Sequence, residues 1–239
     1  MTTCVIIPAR LASTRLPNKP LLDICGKPMI QRVYERALQS GFPVYIAGCD
    51  ETLAKAVEGF GGRFIMTRKD HTSGTDRIAE AAAQLMCDTI INLQGDEPLI
   101  DPANIRLLSE AMKDQSCQMA TLAVAVSESE AQDPNLVKVV ADTNGYALYF
   151  SRSPVPYMRN REQDTVYFGH IGIYGYRRGF LLDYPKMPRT PLERTESLEQ
   201  LRALENGFRI KVIRVSEKPV GVDTMEDYKK VCAVFKANV

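Results

Sequence analysis

What most limits the fold of this chain is the alternation, through its N-terminal part, of short β-branched runs with longer stretches of helical periodicity. Residues 4–7, 44–47, 63–66 and 89–93 have the length and side chains of buried strands, and 28–40, 51–59 and 75–86 read as helices between them. Met29, Ile30, Val33, Ala37 and Leu38 share one helical face, and Gly41 stands where a C-cap would end that helix. Repeated strand–helix–strand units call for crossover connections, which build a mostly parallel sheet flanked by helices. The fold class is therefore α/β.

Beyond Pro102 the pattern loosens. A helix is expected at 103–113, strands at 119–126, 137–142 and 146–150, and a hairpin turn at Asn144-Gly145. Pro154, Pro156, Pro185, Pro188 and Pro191 make 151–191 rich in loops around a strand at 169–176. A helix over 193–206 closed by Gly207, a strand at 209–215 and a final helix at 225–236, capped by Asp223 or Thr224, complete the reading.

Composition narrows the function. The chain has 239 residues, 45% hydrophobic and 25% charged, enough apolar material for a large core without disulfides. Thirty Lys+Arg against 29 Asp+Glu leave a formal charge of +1, so no global field draws in nucleic acid or an anionic membrane. The six cysteines form no C-x-x-C pair and are expected to be reduced structural thiols. No segment approaches the ~18 apolar residues of a spanning helix, and the expected compartment is the cytoplasm.

Chemistry concentrates in two segments. The loop directly after the first strand holds Arg10, Arg15 and Lys19 with Ser13 and Thr14 between them. In a parallel sheet such a loop lies at the carboxyl edge where ligands bind, and its lack of glycines leaves phosphate to side chains, for which arginine forks are suited. The alternative is a solvated basic turn. At the end of the strand at 89–93, Gln94-Gly-Asp-Glu-Pro98 carries Asp96 as a ligand for a hard cation such as Mg²⁺. Adjacent residues of an extended segment point to opposite sides, so a distant carboxylate should complete the site. Asp223 is the candidate, its alternative being a helix N-cap.

The motifs PAR-x-x-S-x-R-x-P-x-KP from Pro8, SGTDR from Ser73, QGDEP from Gln94, YFSR from Tyr149, HIGIYGY from His170, LEQLR from Leu198 and GVDT from Gly221 resemble, in that order and spacing, the 3-deoxy-manno-octulosonate cytidylyltransferase (CMP-Kdo synthetase) family. The resemblance covers nearly the whole chain. It implies a single Rossmann-like nucleotidyltransferase domain, with a core of about 1–126 and 209–239 and a smaller mixed α+β sugar-binding and dimerisation lobe at about 127–208. It implies transfer of CMP from CTP to 3-deoxy-D-manno-octulosonate (Kdo), with Mg²⁺, in a homodimer that activates the sugar for lipopolysaccharide synthesis.

Carried over by position, Arg10, Ser13, Arg15 and Lys19 would hold the triphosphate, with Arg10 and Lys19 acting in catalysis. Arg68, Ser73, Gly74 and Gln94 would line the cytosine and ribose pocket, and Asp96 and Asp223 would bind the metal. Arg152 and His170 would lie closest to the sugar's carboxylate and hydroxyls, with Tyr174, Glu196 and Gln200 as further contacts. Glu196 and Gln200, four apart, would share one face of one helix. His71 is expected to cap or pack within its loop. The chain departs from the family pattern at Asn18, where glycine is common, at Cys49, at Gly169 and at Arg194-Thr195. The rival readings are a cytidylyltransferase for the 8-amino analogue or a sialic acid, a non-catalytic nucleotide-binding protein, and an RNA-binding protein using the basic loop.

Overall fold

The computed structural model describes residues 1–12, 16–159 and 166–237. Its N-terminal part alternates as expected: β1 (Thr3–Pro8), a small ladder of β2 (Asp23–Ile24) and β3 (Lys27–Pro28), α1 (Met29–Leu38), β4 (Val44–Gly48), α2 (Glu51–Gly59), β5 (Phe64–Met66), α3 (Gly74–Ala83), β6 (Thr89–Asn92) and α4 (Pro102–Ala111). There follow β7 (Met119–Val126), α5 (Glu128–Ala131), β8 (Lys138–Ala141), β9 (Ala147–Ser151), β10 (Tyr167–Arg177), α6 (Arg178–Asp183), α7 (Pro191–Glu196), α8 (Leu201–Glu205), β11 (Ile210–Val215) and α9 (Met225–Ala237).

The main sheet runs β11-β7-β10-β6-β1-β4-β5, and every pair along it is parallel except the two made by β10. Because β1 has β4 on one side and β6 on the other, the strand order reverses at β1, and the loop after it opens at the crevice where such sheets bind ligands. Ile30, Val33, Leu53, Ile105 and Leu108 pack on one face of the sheet, and Ile78, Ala81, Phe180 and Leu201 pack on the other. A third cluster, Leu16, Ile24, Met29, Val222 and Val231, fastens α9 over the β2–β3 ladder.

Two features differ from the sequence reading. The strand expected at 169–176 falls inside the stretch assigned to the lobe, yet as β10 it lies antiparallel between β6 and β7 in the middle of the core sheet. The β8–β9 hairpin, turned at Gly145 with φ +75°, joins the sheet through the pairing of Lys138 with Gly169.

The single helix expected at 193–206 is two helices. Ser197 takes a left-handed backbone with φ 52° and ψ 47°, its N–H donates to the Glu193 carbonyl, and α7 ends there. This break lets Leu198 enter the core and turns Arg202 of α8 back on Glu193, with Arg202 Nε and Nη2 at 2.8 and 2.6 Å from the two carboxylate oxygens. Burial, the largest single influence, acts to raise the Glu193 carboxyl, but hydrogen bonds from Arg202, the Thr190 N–H and Arg189, with the Arg202 charge, together outweigh it and hold the group below the ordinary carboxylate range. The helix does close at Gly207, φ +79°.

Side-chain exposures of 9% for Arg202 and 3% for Glu193 make this a desolvated pair. Truncating one partner leaves the other charge buried, so Glu193→Ala should lower stability by about 3–5 kcal/mol in urea denaturation. An unchanged urea midpoint would show that the pair does not hold α7 to α8.

Candidate active site

The carboxyl ends of β1 and β6 deliver the site. Gly95 makes the turn after β6 possible, because a Cβ there would stand 3.2 Å from the Pro8 carbonyl and 3.4 Å from Ile30 Cδ1. The turn brings Asp96 to the loop after β1, where Lys19 opens a 3₁₀ turn behind Asn18. Asn18 has φ +54°, a left-handed conformation that glycine adopts freely and asparagine tolerates best among residues with a side chain, so the replacement of the family's glycine keeps the loop geometry.

Lys19 Nζ lies 2.6 Å from Asp96 Oδ2 and 3.5 Å from Asp223 Oδ1, so residues from three distant parts of the chain meet at one ammonium. The N-cap alternative for Asp223 is taken by its neighbour. Thr224 Oγ1 accepts from Asp227 N–H at 3.2 Å, while Asp227 Oδ2 accepts from the Thr224 N–H at 2.9 Å, a reciprocal cap of α9. Val222 N–H donates to the Asp96 carbonyl at 2.8 Å, which ties the Asp223 segment to the Asp96 turn.

Glu97, given no role from sequence, completes an acidic group. Its Oε2 is buried without a hydrogen-bond partner among the described residues. Burial, reinforced by the charges of Asp96 and Asp223, pushes its carboxyl up to about 8. Among the described residues no group of three or more His, Cys, Asp or Glu is arranged to enclose a metal ion. Asp96 and Asp223 nevertheless offer hard oxygen donors that converge on one cation, Lys19, which is the donor set Mg²⁺ uses when substrate phosphates supply the rest.

A cavity of about 360 Å³ opens beside this centre, lined by Arg10, Lys19, His71, Ser73, Gly74, Arg77, Gln94 and Asp96 among others. Ser73 Oγ caps α3 by accepting from Asp76 N–H at 3.1 Å. Arg77, also without a role from sequence, is 4% exposed and donates from Nη1 to Thr67 Oγ1 and the Arg68 carbonyl, bracing the 67–73 loop from inside. His71 packs in its loop as expected, its Nε2 hydrogen-bonded to Glu80. Arg68 is not among the cavity's lining residues; its side chain is exposed and lies 3.5 Å from Glu80 and 3.8 Å from Asp70. Ser13 and Arg15 lie outside the described residues.

A second cavity of about 250 Å³ shares Gly74 and Gln94 with the first and extends along the sheet to Tyr174 and Gln200. The other expected sugar contacts are engaged elsewhere. Arg152 donates from Nε to the Glu196 carbonyl at 2.7 Å, from Nη1 to the Pro134 carbonyl at 2.9 Å and from Nη2 to the Ser197 carbonyl at 3.4 Å. Glu196 accepts from Ser151 Oγ and from the Arg152 N–H at 2.7 and 3.0 Å. The break at Ser197 places Glu196 and Gln200 on different helical segments, which corrects the expectation that they share one helical face.

His170 Nε2 is 2.9 Å from Thr121 Oγ1, and its ring packs between Phe150 and Tyr174. Burial pushes its imidazole down to about 3, so the ring is neutral and offers no positive charge to a carboxylate. It sits beside the β10 irregularity between Ile171 and Tyr174, where the Thr121 hydroxyl also reaches the Ile173 carbonyl at 2.8 Å. His170 thus packs against the Tyr174 ring, while strand pairing places Tyr174 opposite Asn92.

The cytidylyltransferase family model matches residues 4–213. A 3-deoxy-manno-octulosonate cytidylyltransferase of Geobacter sulfurreducens is 47% identical, covering 99% of this chain and 100% of that protein. One of Escherichia coli is 50% identical over 97% of this chain and 95% of its own. A structure of CMP:2-keto-3-deoxy-manno-octonic acid synthetase complexed with CTP superposes with a TM-score of 0.97 and 48% identity over 100% of both chains. HddC from Yersinia pseudotuberculosis, complexed with GMP-PN, shares the fold at a TM-score of 0.69 and 18% identity over 98% of this chain and 100% of that one.

The acidic group has a consequence for pH. The folded metal-free protein keeps a proton on Glu97 up to about 8, whereas the unfolded chain releases it near 4.5, so stability falls as pH rises between those values. Glu97→Gln should flatten that decline in urea denaturation across the same window. A decline as steep as in the parent would assign the proton to another group.

Proposed function

The chain belongs to the cytidylyltransferase family, and from that premise we propose that it transfers CMP from CTP to 3-deoxy-D-manno-octulosonate, giving CMP-Kdo and pyrophosphate. The observation that carries the reading is the likeness, over the whole of both chains, to a CMP-Kdo synthetase holding CTP.

In this reading Arg10 and Lys19 hold the triphosphate, and Ser73, Gly74 and Gln94 line the nucleoside pocket. A pyrimidine needs few polar partners, and the Gln94 amide offers both a donor and an acceptor. Asp96 and Asp223 would hold Mg²⁺. When bound, the ion supplies positive charge to the phosphate oxygens and raises the acidity of the attacking hydroxyl. The anomeric oxygen forms its bond to the α-phosphorus as the bond from that phosphorus to the bridging β-phosphate oxygen breaks, its hydroxyl proton passes to solvent water, and Lys19 neutralises charge on the departing pyrophosphate. No side chain is assigned as general base, and catalysis comes from positioning and electrostatics. Tyr174 and Gln200 line the sugar side.

The same reading carries activation of the sugar for lipopolysaccharide synthesis, a cytoplasmic location and a homodimer. Leu148, 65% exposed on β9, is an apolar side chain available for a dimer contact. Ile173 and Tyr176 of β10 are core residues, 0% and 2% exposed. Among the described residues no helix is long and apolar enough to cross a membrane.

Pyrophosphate release by purified protein with Mg²⁺ should be specific for CTP among the common nucleoside triphosphates, and for Kdo over its 8-amino analogue and N-acetylneuraminate. Release with CTP and a different acid sugar would move the sugar assignment, and release with none would favour a non-catalytic nucleotide-binding protein. Asp96→Asn and Asp223→Asn should each abolish Mg²⁺-dependent turnover in a protein that still folds by circular dichroism. Normal turnover in either variant would remove that residue from the metal site.

A further inference from the structure

Away from both cavities, where the β2–β3 ladder meets α9, two cysteines 207 positions apart in sequence come together. Asp23 pairs with Pro28 and Ile24 with Lys27, so Cys25 and Gly26 form a two-residue turn with φ of +52° and +82°. Such a turn favours Asn-Gly and disfavours most other side chains at its first position, so the turn itself does not call for Cys25. Three contacts pin it to α9. The Tyr228 hydroxyl donates to the Asp23 carbonyl at 2.5 Å, and Cys25 Sγ lies 3.7 Å from the Cys232 carbonyl oxygen. Arg32 donates from Nη2 to the Ile24 and Cys25 carbonyls, at 2.8 Å each, and stacks 4.6 Å from the centre of the Phe235 ring. Residues 228, 232 and 235 have the spacing of one helical face.

The two sulfurs share this contact. A cysteine's sulfur stands only a few ångströms from its own carbonyl oxygen, and the Cys232 carbonyl is the group that Cys25 Sγ meets. The Cys232 thiol is also hydrogen-bonded with the Tyr228 hydroxyl, and that bond, with burial and the nearness of Cys25, raises the hydroxyl above its ordinary value. All six cysteines are free thiols, and Cys25 and Cys232 are both only partly buried. Cys4 and Cys87 are also neighbours, but Cys4 is 0% exposed and burial pushes its thiol well up. A small oxidant can reach the pair at α9, whereas the other pair keeps one member in the core as an inert thiol.

We propose that Cys25 and Cys232 are a redox-sensitive pair, which a small disulfide such as oxidised glutathione converts into a covalent link between the β2–β3 turn and α9. The Cys25 thiolate attacks one sulfur of the small disulfide, whose S–S bond breaks and releases the first glutathione as its thiolate. The Cys232 thiolate then attacks the Cys25 sulfur and expels the second. Two electrons pass from the protein to the oxidant, and the two thiol protons end on the two released glutathiones. Ile24, Val222 and Val231 already share one buried cluster, so the link fastens covalently the segment that carries Asp223. This chemistry is independent of which sugar the enzyme uses.

The test is to equilibrate the full chain with oxidised and reduced glutathione in set ratios, alkylate the remaining thiols, and read intact mass, peptide map and thermal melting. Oxidation should remove two of the six free thiols without a retained glutathione, and the map should join the peptides of Cys25 and Cys232. The melting temperature should rise by about 5–10 °C, the effect of closing a long loop, and dithiothreitol should reverse it. Cys25→Ser and Cys232→Ser should each melt in oxidising buffer like the reduced parent. If Cys232→Ser does not fold, Cys25→Ser, at the turn, and the parent's own peptide map decide. Six free thiols in the most oxidising buffer would overturn the proposal, as would a glutathione left on Cys25 or a link between Cys4 and Cys87. So would a Cys25–Cys232 link that fails to raise the melting temperature, the sign of a bond formed only with α9 displaced.

Discussion

The ion pair of Lys19 with Asp96, reaching on to Asp223, is the contact around which the candidate site is assembled. The three residues belong to the loop after β1, the turn after β6 and the segment before α9, and nothing local in the chain brings them together. Apolar packing does. Leu16, Met29 and Val222 share one buried cluster, so the same burial that anchors α9 delivers the polar groups a few residues away. With Glu97 alongside, three carboxyl groups sit together, and the lysine ammonium supplies the opposing charge that makes the grouping tolerable.

The first cavity was largely legible in the sequence, because several of its residues follow apolar runs whose ends mark the edge of a parallel sheet. Gln94 and Asp96 stand directly after β6, Ser73 and Gly74 close the loop that follows β5, and Lys19 lies in the loop after β1. The cap of α9 could not be chosen because Asp223 and Thr224 are both good caps; the reciprocal bonds of Thr224 with Asp227 give it to Thr224.

The second cavity was less legible, for two reasons. A strand's pattern says that it is buried and does not say where in the sheet it goes, so the insertion of β10 between β6 and β7, which sets Tyr174 opposite Asn92, could not be read. The stretch 193–206 carries helical periodicity throughout and is broken by a serine in a left-handed conformation, where glycine or asparagine would have given a signal. That break exchanged Glu196 for Glu199 at the cavity and sent Arg152 to backbone carbonyls.

The place of β10 also constrains how the molecule can move. Its hydrogen bonds to β6 on one side and β7 on the other make the strand carrying Tyr174 a continuous part of the sheet whose other strands carry the β1 and β6 loops. Two bodies that share an unbroken hydrogen-bonded sheet have no hinge between them, since opening one would tear the ladder along a buried strand. The sheet residues that line the two cavities are therefore held at a constant separation, like two sockets cut in one plate. A change in the shape of either cavity therefore falls to the segments that leave the sheet.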